Sequence, residues 1–173
     1  MNYAFQFGEL SVDQRRGVIS LIPKKDRSRE FLKNWRPLSL LNVDYKILAK
    51  ALAMRLQKFL PILINEDQTG YVKGRYIGEN IRLISDIIQY YKDRNLSGLL
   101  LLVDFEKAFD TIEWSFIDRV LLSFNFGTLF RKWVKIIYCN VHSCVINNGY
   151  ISEFFPLSRG VRQGCPLLLS YLF

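Results

Sequence analysis

Short apolar runs and helical spacing alternate along the first half of this chain. Residues 17–22 and 38–41 are compact apolar runs, and Pro23 follows the first of them, so we expect two short strands. A helix should then begin at Asp44 as N-cap and stop at Pro61. Its apolar positions are Ile47, Leu48, Ala51, Leu52, Leu56 and Phe59. A second helix is predicted at about 79–91, with a stripe formed by Ile81, Ile84, Ile88 and Tyr91.

The second half contains a strand signal, two helix signals and a hairpin signal. Residues 99–103 are consecutive aliphatics, a pattern typical of a strand buried on both faces. Helical spacing covers 113–124 and resumes at Thr128, and we interpret the aromatic residues of both stripes as core. The Asn-Asn-Gly sequence at 147–149, between two alternating runs, predicts a hairpin. The order of elements predicts an α+β fold with helices packed on a mostly antiparallel sheet.

Asp104 directly follows the aliphatic run and is the first candidate for chemistry. A carboxylate at the end of an apolar strand needs a cation, a hydrogen-bond donor or the mouth of a cleft. Open α/β sheets carry their chemistry at such strand ends. On spacing alone, two interpretations are equally supported: a catalytic acid that holds a metal ion, and a strand-end cap or partner of a lysine.

The charge distribution favours a polyanionic partner. The net charge is +8 and half of the 173 residues are hydrophobic, enough for a substantial core. Residues 24–58 contain ten Lys or Arg and only three acidic residues, whereas 99–173 are nearly neutral. Such a basic region indicates a face for nucleic acid, with a merely solvated surface as the alternative.

Cysteine content and hydropathy indicate an intracellular protein, nuclear or cytoplasmic. Three cysteines are an odd number and fit a reducing compartment, and Cys139, His142 and Cys144 lack a fourth ligand for zinc. The sequence shows neither a signal-peptide pattern nor the roughly 20 apolar residues of a membrane span, so we expect no membrane partner. The oligomeric state is left open.

Five motifs, in one order, resemble the reverse transcriptase domain of non-LTR (LINE-type) retrotransposons. Together they extend over nearly the whole chain. The matching segments are 17–25 (GVISLIPKK), 34–40 (NWRPLSL), 67–71 with Gly74 and Arg75 (DQTGY and GR), 102–110 (LVDFEKAFD) and 159–167 (RGVRQGCPL). The resemblance implies the fingers and part of the palm of a right-hand polymerase. It places a fingers-like basic region at 1–97 and a partial palm at 98–173.

The resemblance also implies the chemistry of RNA-templated DNA synthesis with Mg²⁺. Asp104 would be a catalytic acid and metal ligand, and the backbone carbonyl of Phe105 a second ligand. Phe109 occupies the position of an aromatic that would exclude a ribose 2′-hydroxyl and so select deoxynucleoside triphosphates. Plain core packing is its structural alternative. The partners implied are an RNA template, a DNA primer and a deoxynucleoside triphosphate.

Further positions match the family's binding residues. Arg36 resembles an arginine that grips the triphosphate, because a guanidinium can bind two phosphate oxygens at once. Lys24 and Lys25 are equal candidates for an accompanying lysine, and Gln163 and Gly164 resemble the pair that lines the nucleotide pocket. The expected contacts to template or primer backbone are Lys46, Lys50, Gln68, Gly70, Gly74 and Arg75.

The sequence departs from the family pattern in two places. The paired-aspartate motif that follows the Gln-Gly motif in the family is not among these 173 residues, so we expect a truncated domain that does not polymerise by itself. Residues 168–170 (LLS) stand where the family usually has Ser-Pro. Two alternatives remain beside the polymerase fragment: a non-catalytic RNA- or DNA-binding module that uses the Lys24–Lys58 basic face, and an α+β fragment without a partner.

Overall fold

The computed structural model describes residues 2–70, 72–105 and 107–167. The helices are α1 (Asn2–Phe7), α2 (Val12–Arg15), α3 (Val43–Gln57), α4 (Leu60–Leu63), α5 (Gly78–Asp93), α6 (Ala108–Thr111), α7 (Trp114–Ser123) and α8 (Thr128–Tyr138), with a 3₁₀ turn at Leu32–Asn34. The strands are β1 (Arg16–Pro23), β2 (Trp35–Leu41), β3 (His142–Asn147), β4 (Tyr150–Ile151) and β5 (Phe155–Pro156).

These strands form a mixed sheet in the order β2-β1-β3-β4, with β5 also paired to β3. β1 pairs with β2 in antiparallel register, Ile19 opposite Ser39, and with β3 in parallel register, Val18 opposite Cys144. The pairings of β3 with β4 and β5 are antiparallel. The predicted α+β fold with a mostly antiparallel sheet is therefore confirmed, and β2 is an edge strand.

The predicted hairpin between β3 and β4 is present. Asn148 and Gly149 both have positive φ, 49° and 82°, as a two-residue turn of the primed type requires. Beyond this turn, the Val145 amide donates to the Ser152 hydroxyl at 2.9 Å, where the returning strand leaves the ladder. The turn sequence therefore forms the hairpin that was expected from it, with Asn147 opposite Tyr150.

α3 packs one face into the core, but that face differs from the predicted one. The helix begins at the N-cap Asn42, whose side-chain oxygen accepts from the amides of Asp44 and Tyr45, so the prediction of Asp44 as the cap was wrong. Six residues of α3 are buried: Tyr45, Leu48, Ala49, Leu52, Ala53 and Leu56. Ile47, Ala51 and Phe59 are exposed. Because α3 carries apolar residues on both faces, periodicity alone does not select the buried one.

One hydrophobic core joins both halves of the chain. Residues of α3 meet Ile117 and Leu121 of α7, Val134 and Ile137 of α8, and Val161, Cys165 and Leu167 of the C-terminal described segment. The aromatic residues Trp114, Phe130 and Trp133 pack against it partly buried, as expected for core stripes. The helices and the C-terminal described segment therefore share this core, and Leu41 of β2 connects the sheet to it.

The segment from α5 to Phe105 contradicts two sequence predictions. Residues 99–103 form no strand and are exposed, Leu99 to 93 % and Leu101 to 76 %. Among the described residues of α5 none is buried, so its apolar stripe does not join the core. The physical reason is that a strand of apolar residues is buried only where partner strands cover it, and no described strand pairs with 99–103.

An ion-pair network links α7 to α8. Asp118 accepts from Arg131 Nε and Nη2 at 2.9 and 2.8 Å, and Lys135 Nζ lies 3.0 Å from the same carboxylate. The hydrogen bonds from Arg131 hold the pKa of the Asp118 carboxyl below its usual value. A carboxyl whose pKa is lower in the folded state stabilises that state above its unfolded pKa, and this stability is lost as the pH falls through the folded pKa.

We expect Asp118→Asn to lower the melting temperature by about 2 °C at neutral pH, the size typical of a partly exposed ion pair in a chain of this length. The difference from the unsubstituted chain should shrink as the pH falls below about 4, because the lowered pKa of the Asp118 carboxyl is then approached and this carboxyl takes up a proton in the folded state. The matched control is Asp86→Asn, since Asp86 pairs with Arg82 at 3.7 Å on the solvent side. An equal effect of both variants, or a difference independent of pH, contradicts the assignment.

Candidate functional site

A tight turn, Arg162–Cys165, lies against the free edge of β2. The Cys165 amide donates to the Arg162 carbonyl at 2.9 Å, which closes the turn, and Gly164 has a φ of +108°. The Ser39 amide of β2 donates to the Gln163 carbonyl at 3.0 Å. A β-carbon on Gly164 would lie 2.8 Å from the Ser39 carbonyl oxygen, so only glycine fits this approach. The turn therefore covers the β2 edge at Ser39.

The segment that leads into this turn is fixed to the backbone around α6. The Gly160 amide donates to the Ile112 carbonyl at 2.8 Å, and the Val161 amide donates to the Phe109 carbonyl at 2.7 Å. Trp114 Nε1 donates to the Gly160 carbonyl at 2.9 Å. Residues 160–164 thus connect Phe109 to β2, and three segments singled out by the sequence meet here. Phe109 and Gln163 are half-buried, and Gly164 is exposed.

A buried cluster lies beneath the turn. The Tyr45 hydroxyl and the Cys165 sulfur are 3.3 Å apart, and the Arg162 guanidinium lies 4.3 Å above the Tyr45 ring. Arg162 Nη1 also donates to the Arg15 carbonyl at 3.2 Å. Burial raises the pKa of the Tyr45 hydroxyl far above its usual value, so this group stays protonated. Sequence reasoning missed Tyr45, because no local pattern reports a contact across 120 positions.

The cationic candidates lie on the β1–β2 hairpin. Arg36 is exposed in β2, on the face opposite to buried Ser39, and within the described residues it forms no ion pair with a carboxylate. Lys24 Nζ donates to the Lys33 carbonyl at 2.8 Å, which ties it to the loop of the hairpin. Lys25 is exposed, and the described part of the chain offers it no hydrogen bond. The two lysines are therefore not equivalent.

The expected template contacts lie on α3 and in the loop that follows α4. Lys50 is exposed and Lys46 is half-buried on α3, and Gln68, Gly70 and Gly74 lie in the loop between α4 and α5. The expected contact of Arg75 with nucleic acid stays a prediction, and the structure adds a role for Arg75 within the chain. Its two terminal nitrogens donate to the Pro61 carbonyl of α4 and to three carbonyls of this loop, those of Ile64, Asn65 and Gln68. Its side chain therefore organises the loop from within.

Asp104 is exposed and does not end a strand. Among the residues that the structure describes, no group of three or more His, Cys, Asp or Glu side chains gathers into a possible metal site. Hard divalent ions prefer several oxygen ligands, and a two-ion site needs more than one carboxylate. The described residues alone therefore do not supply the remaining ligands of the Mg²⁺ site implied by the resemblance. Tyr71, Glu106 and the departure at residues 168–170 lie outside the described residues.

Comparison with known proteins identifies the family. Residues 22–169 match the family described as reverse transcriptase (RNA-dependent DNA polymerase). The chain belongs to the reverse transcriptase family. Recognition of a non-LTR retrotransposon reverse transcriptase domain is thereby confirmed, and nothing in the comparisons favours the alternative of a non-catalytic binding module.

The relatives are proteins of a transposon and of retrotransposable elements, and the chain spans only 12 to 20 % of their length. The chain is 42 % identical over 164 residues to the transposon TX1 uncharacterized 149 kDa protein of Xenopus laevis. This match covers 95 % of the chain and 12 % of the Xenopus protein. It is 27 % identical over 169 residues to a retrovirus-related Pol polyprotein from the type-2 retrotransposable element R2DM of Drosophila melanogaster, covering 96 % of the chain and 16 % of the relative. A similar polyprotein from a type-1 element R2 of Popillia japonica is 26 % identical over 86 % of the chain and 20 % of its own length.

Family membership supports two general expectations, one about the cofactor and one about the partners. Reverse transcriptases generally use divalent metal ions, and they act on a nucleic-acid template and primer with deoxynucleoside triphosphates.

No helix among residues 2–70, 72–105 and 107–167 is both long and apolar enough to cross a membrane.

Proposed function

We propose that this chain is the nucleotide-binding part of a reverse transcriptase that synthesises DNA on an RNA template within a longer polypeptide. The nucleotide surface consists of β2 with Arg36, the Arg162–Cys165 turn and Phe109. Its support is one arrangement: residues 160–164 are hydrogen-bonded to the Phe109 carbonyl at one end and to the Ser39 amide at the other. Three sequence-separated motifs thus share one surface.

The triphosphate is bound by cations of the β1–β2 hairpin in this proposal. Arg36 is exposed and unpaired within the described residues, so its guanidinium can bind two phosphate oxygens. Lys25 is the accompanying lysine, because Lys24 is engaged with the Lys33 carbonyl. The sequence alone does not choose between the two lysines, and the hydrogen bond of Lys24 supports Lys25.

The sugar and base are bound on the other side of the surface. Phe109 stands under the sugar and excludes a 2′-hydroxyl by steric collision, which selects the deoxynucleotide by rejecting its competitor. Gln163 lines the pocket, and Gly164 lets the backbone approach the base pair because it carries no side chain. These roles are supported by the backbone hydrogen bond from Val161 to Phe109, two residues before Gln163.

The remaining residues are assigned to template and metal. Lys46 and Lys50 of α3 and the loop of Gln68, Gly70 and Gly74 contact the nucleic-acid backbone, and Arg75 shapes that loop. The division into a fingers-like region at 1–97 and a partial palm at 98–173 belongs to the same proposal. Asp104 and the Phe105 carbonyl contribute to a Mg²⁺ site whose other ligands the described residues do not supply, so no chemical step is derived through the ion.

We expect the purified chain to bind a deoxynucleoside triphosphate, and Arg36→Gln to weaken that binding at least tenfold. The reason is the loss of charge-assisted hydrogen bonds to phosphate, each worth about 1.5–3 kcal/mol. Lys25→Gln should also weaken binding, by about three- to tenfold. Equilibrium dialysis with radiolabelled dTTP measures these affinities directly.

Lys24→Gln is the matched control, since it removes the same charge one position away. We expect Lys24→Gln to weaken dTTP binding less than twofold more than the loss of one positive charge would by itself. No detectable binding of dTTP by the unsubstituted chain, or equal losses at positions 24 and 25, would overturn the proposed arrangement.

A further inference from the structure

The turn that carries Gln163 and Gly164 is held from below by side chains that do not face the nucleotide surface. Its first and fourth residues, Arg162 and Cys165, are both buried and both contact Tyr45 of α3. Tyr45 itself has no exposed surface. The two middle residues of the turn are thereby directed outward.

We propose that Tyr45, Arg162 and Cys165 form a clamp that positions Gln163 and Gly164 for nucleotide binding. The inference rests on the proposed function for its consequence, and on the contacts of the turn for its geometry. The three clamp residues are positioning residues, because none of them contacts the nucleotide in the arrangement proposed above.

The position of Arg162 supports this assignment. Arg162 is only 7 % exposed, and its Nε and Nη2 have no hydrogen-bond partner among the described residues. A buried guanidinium with incomplete hydrogen bonding is costly unless another contact compensates. The Tyr45 ring at 4.3 Å supplies a cation–π contact, and the Arg15 carbonyl supplies one hydrogen bond. A leucine at position 162 would fill similar space, but would supply neither contact.

The Tyr45 hydroxyl adds a second attachment. Its distance of 3.3 Å to Cys165 Sγ fits a hydrogen bond to sulfur, and Cys165 closes the turn through its amide. The edge of β2 adds a third, through the Ser39 amide. The turn therefore joins α3 to β2, and a shift of Tyr45 would move Gln163 relative to Arg36.

Amide hydrogen exchange tests the clamp without requiring activity. The reporting amides are those of Ser39 and Cys165, which donate to the two carbonyls of the turn. We expect Tyr45→Phe to lower their protection about threefold and Arg162→Gln about tenfold, since the first removes one weak hydrogen bond and the second the cation–π contact. Protection in the middle of α8 should change less than twofold. Arg162→Lys should recover part of the loss.

Arg131→Gln is the matched control, because it removes a guanidinium from the α7–α8 network and leaves the turn intact. It should lower protection in α7 and α8 but not at Ser39 or Cys165. Two results would overturn the clamp. One is unchanged protection of the Ser39 and Cys165 amides in Tyr45→Phe and Arg162→Gln. The other is a loss of their protection that is no larger than the loss in α8.

A dTTP titration of the same variants separates the two proposals. Weaker binding in Arg162→Gln, with α8 protection retained, supports both the clamp and the nucleotide surface. Loss of turn protection without any dTTP binding by the unsubstituted chain keeps the clamp and rejects the nucleotide surface.

Discussion

Leu52→Ala should lower the free energy of unfolding by about 2–5 kcal/mol, whereas Leu101→Ala should change it by less than about 0.5 kcal/mol. Leu52 is 2 % exposed in α3 and belongs to the core, so its truncation leaves a cavity. Leu101 is 76 % exposed and lies in a segment without a partner strand. Both changes remove the same atoms, and only their surroundings differ.

Urea unfolding followed by far-UV circular dichroism measures both values, and Leu52→Val provides a milder core change if Leu52→Ala does not fold. The comparison is decisive because the sequence pattern alone places both leucines at buried positions, whereas the structure buries only Leu52. A large loss at Leu101, similar to that at Leu52, would mean that residues 99–103 are buried in this chain.

Local signals predicted the elements whose partners are near in sequence. The Asn148–Gly149 turn has the positive φ values that its residues favour, and β1 and β2 occur where the short apolar runs predicted them. The helices α7 and α8 also lie within about a residue of their predicted starts. Each of these elements has a signal within a few residues, in the turn residues or in the spacing of apolar positions.

Predictions that depended on distant partners were wrong. The aliphatic run at 99–103 has the composition of a buried strand, but composition does not say which strands cover it. The stripe of α5 has regular helical spacing, yet it is not buried within the described chain. Burial is a property of the assembled sheet and core, so a single sequence indicates only what could be buried.

The candidate site shows the same division. The motifs at 34–40 and 159–167 were found from their residues, and the structure adds that they meet at Ser39 and Gln163. The contribution of Tyr45 could not be found this way, since its contacts with Arg162 and Cys165 connect positions far apart along the chain. A sequence can identify the residues that a family uses, but not the side chains that hold them in place.

Gly164→Ala should destabilise the chain by about 2–4 kcal/mol and abolish measurable dTTP binding, whereas Gly74→Ala should cost only about 1–2 kcal/mol and leave dTTP binding unchanged. Both glycines have positive φ, +108° and +87°, so both substitutions strain the backbone. They differ in their surroundings. The added β-carbon at position 164 would lie 2.8 Å from the Ser39 carbonyl oxygen, and that at position 74 has no atom within 4 Å.

The difference between the two variants isolates the contact between the turn and β2. Ser39 belongs to the edge strand that carries Arg36, so the clash must either displace the turn or bend β2. Either movement separates Gln163 from the phosphate-binding cation, and nucleotide affinity therefore falls more than stability alone explains. Chemical denaturation and dTTP dialysis on the same two preparations measure both effects. Equal losses of stability in the two variants would show that backbone strain at positive φ explains the entire loss. The contact between the turn and Ser39 would then contribute nothing to stability.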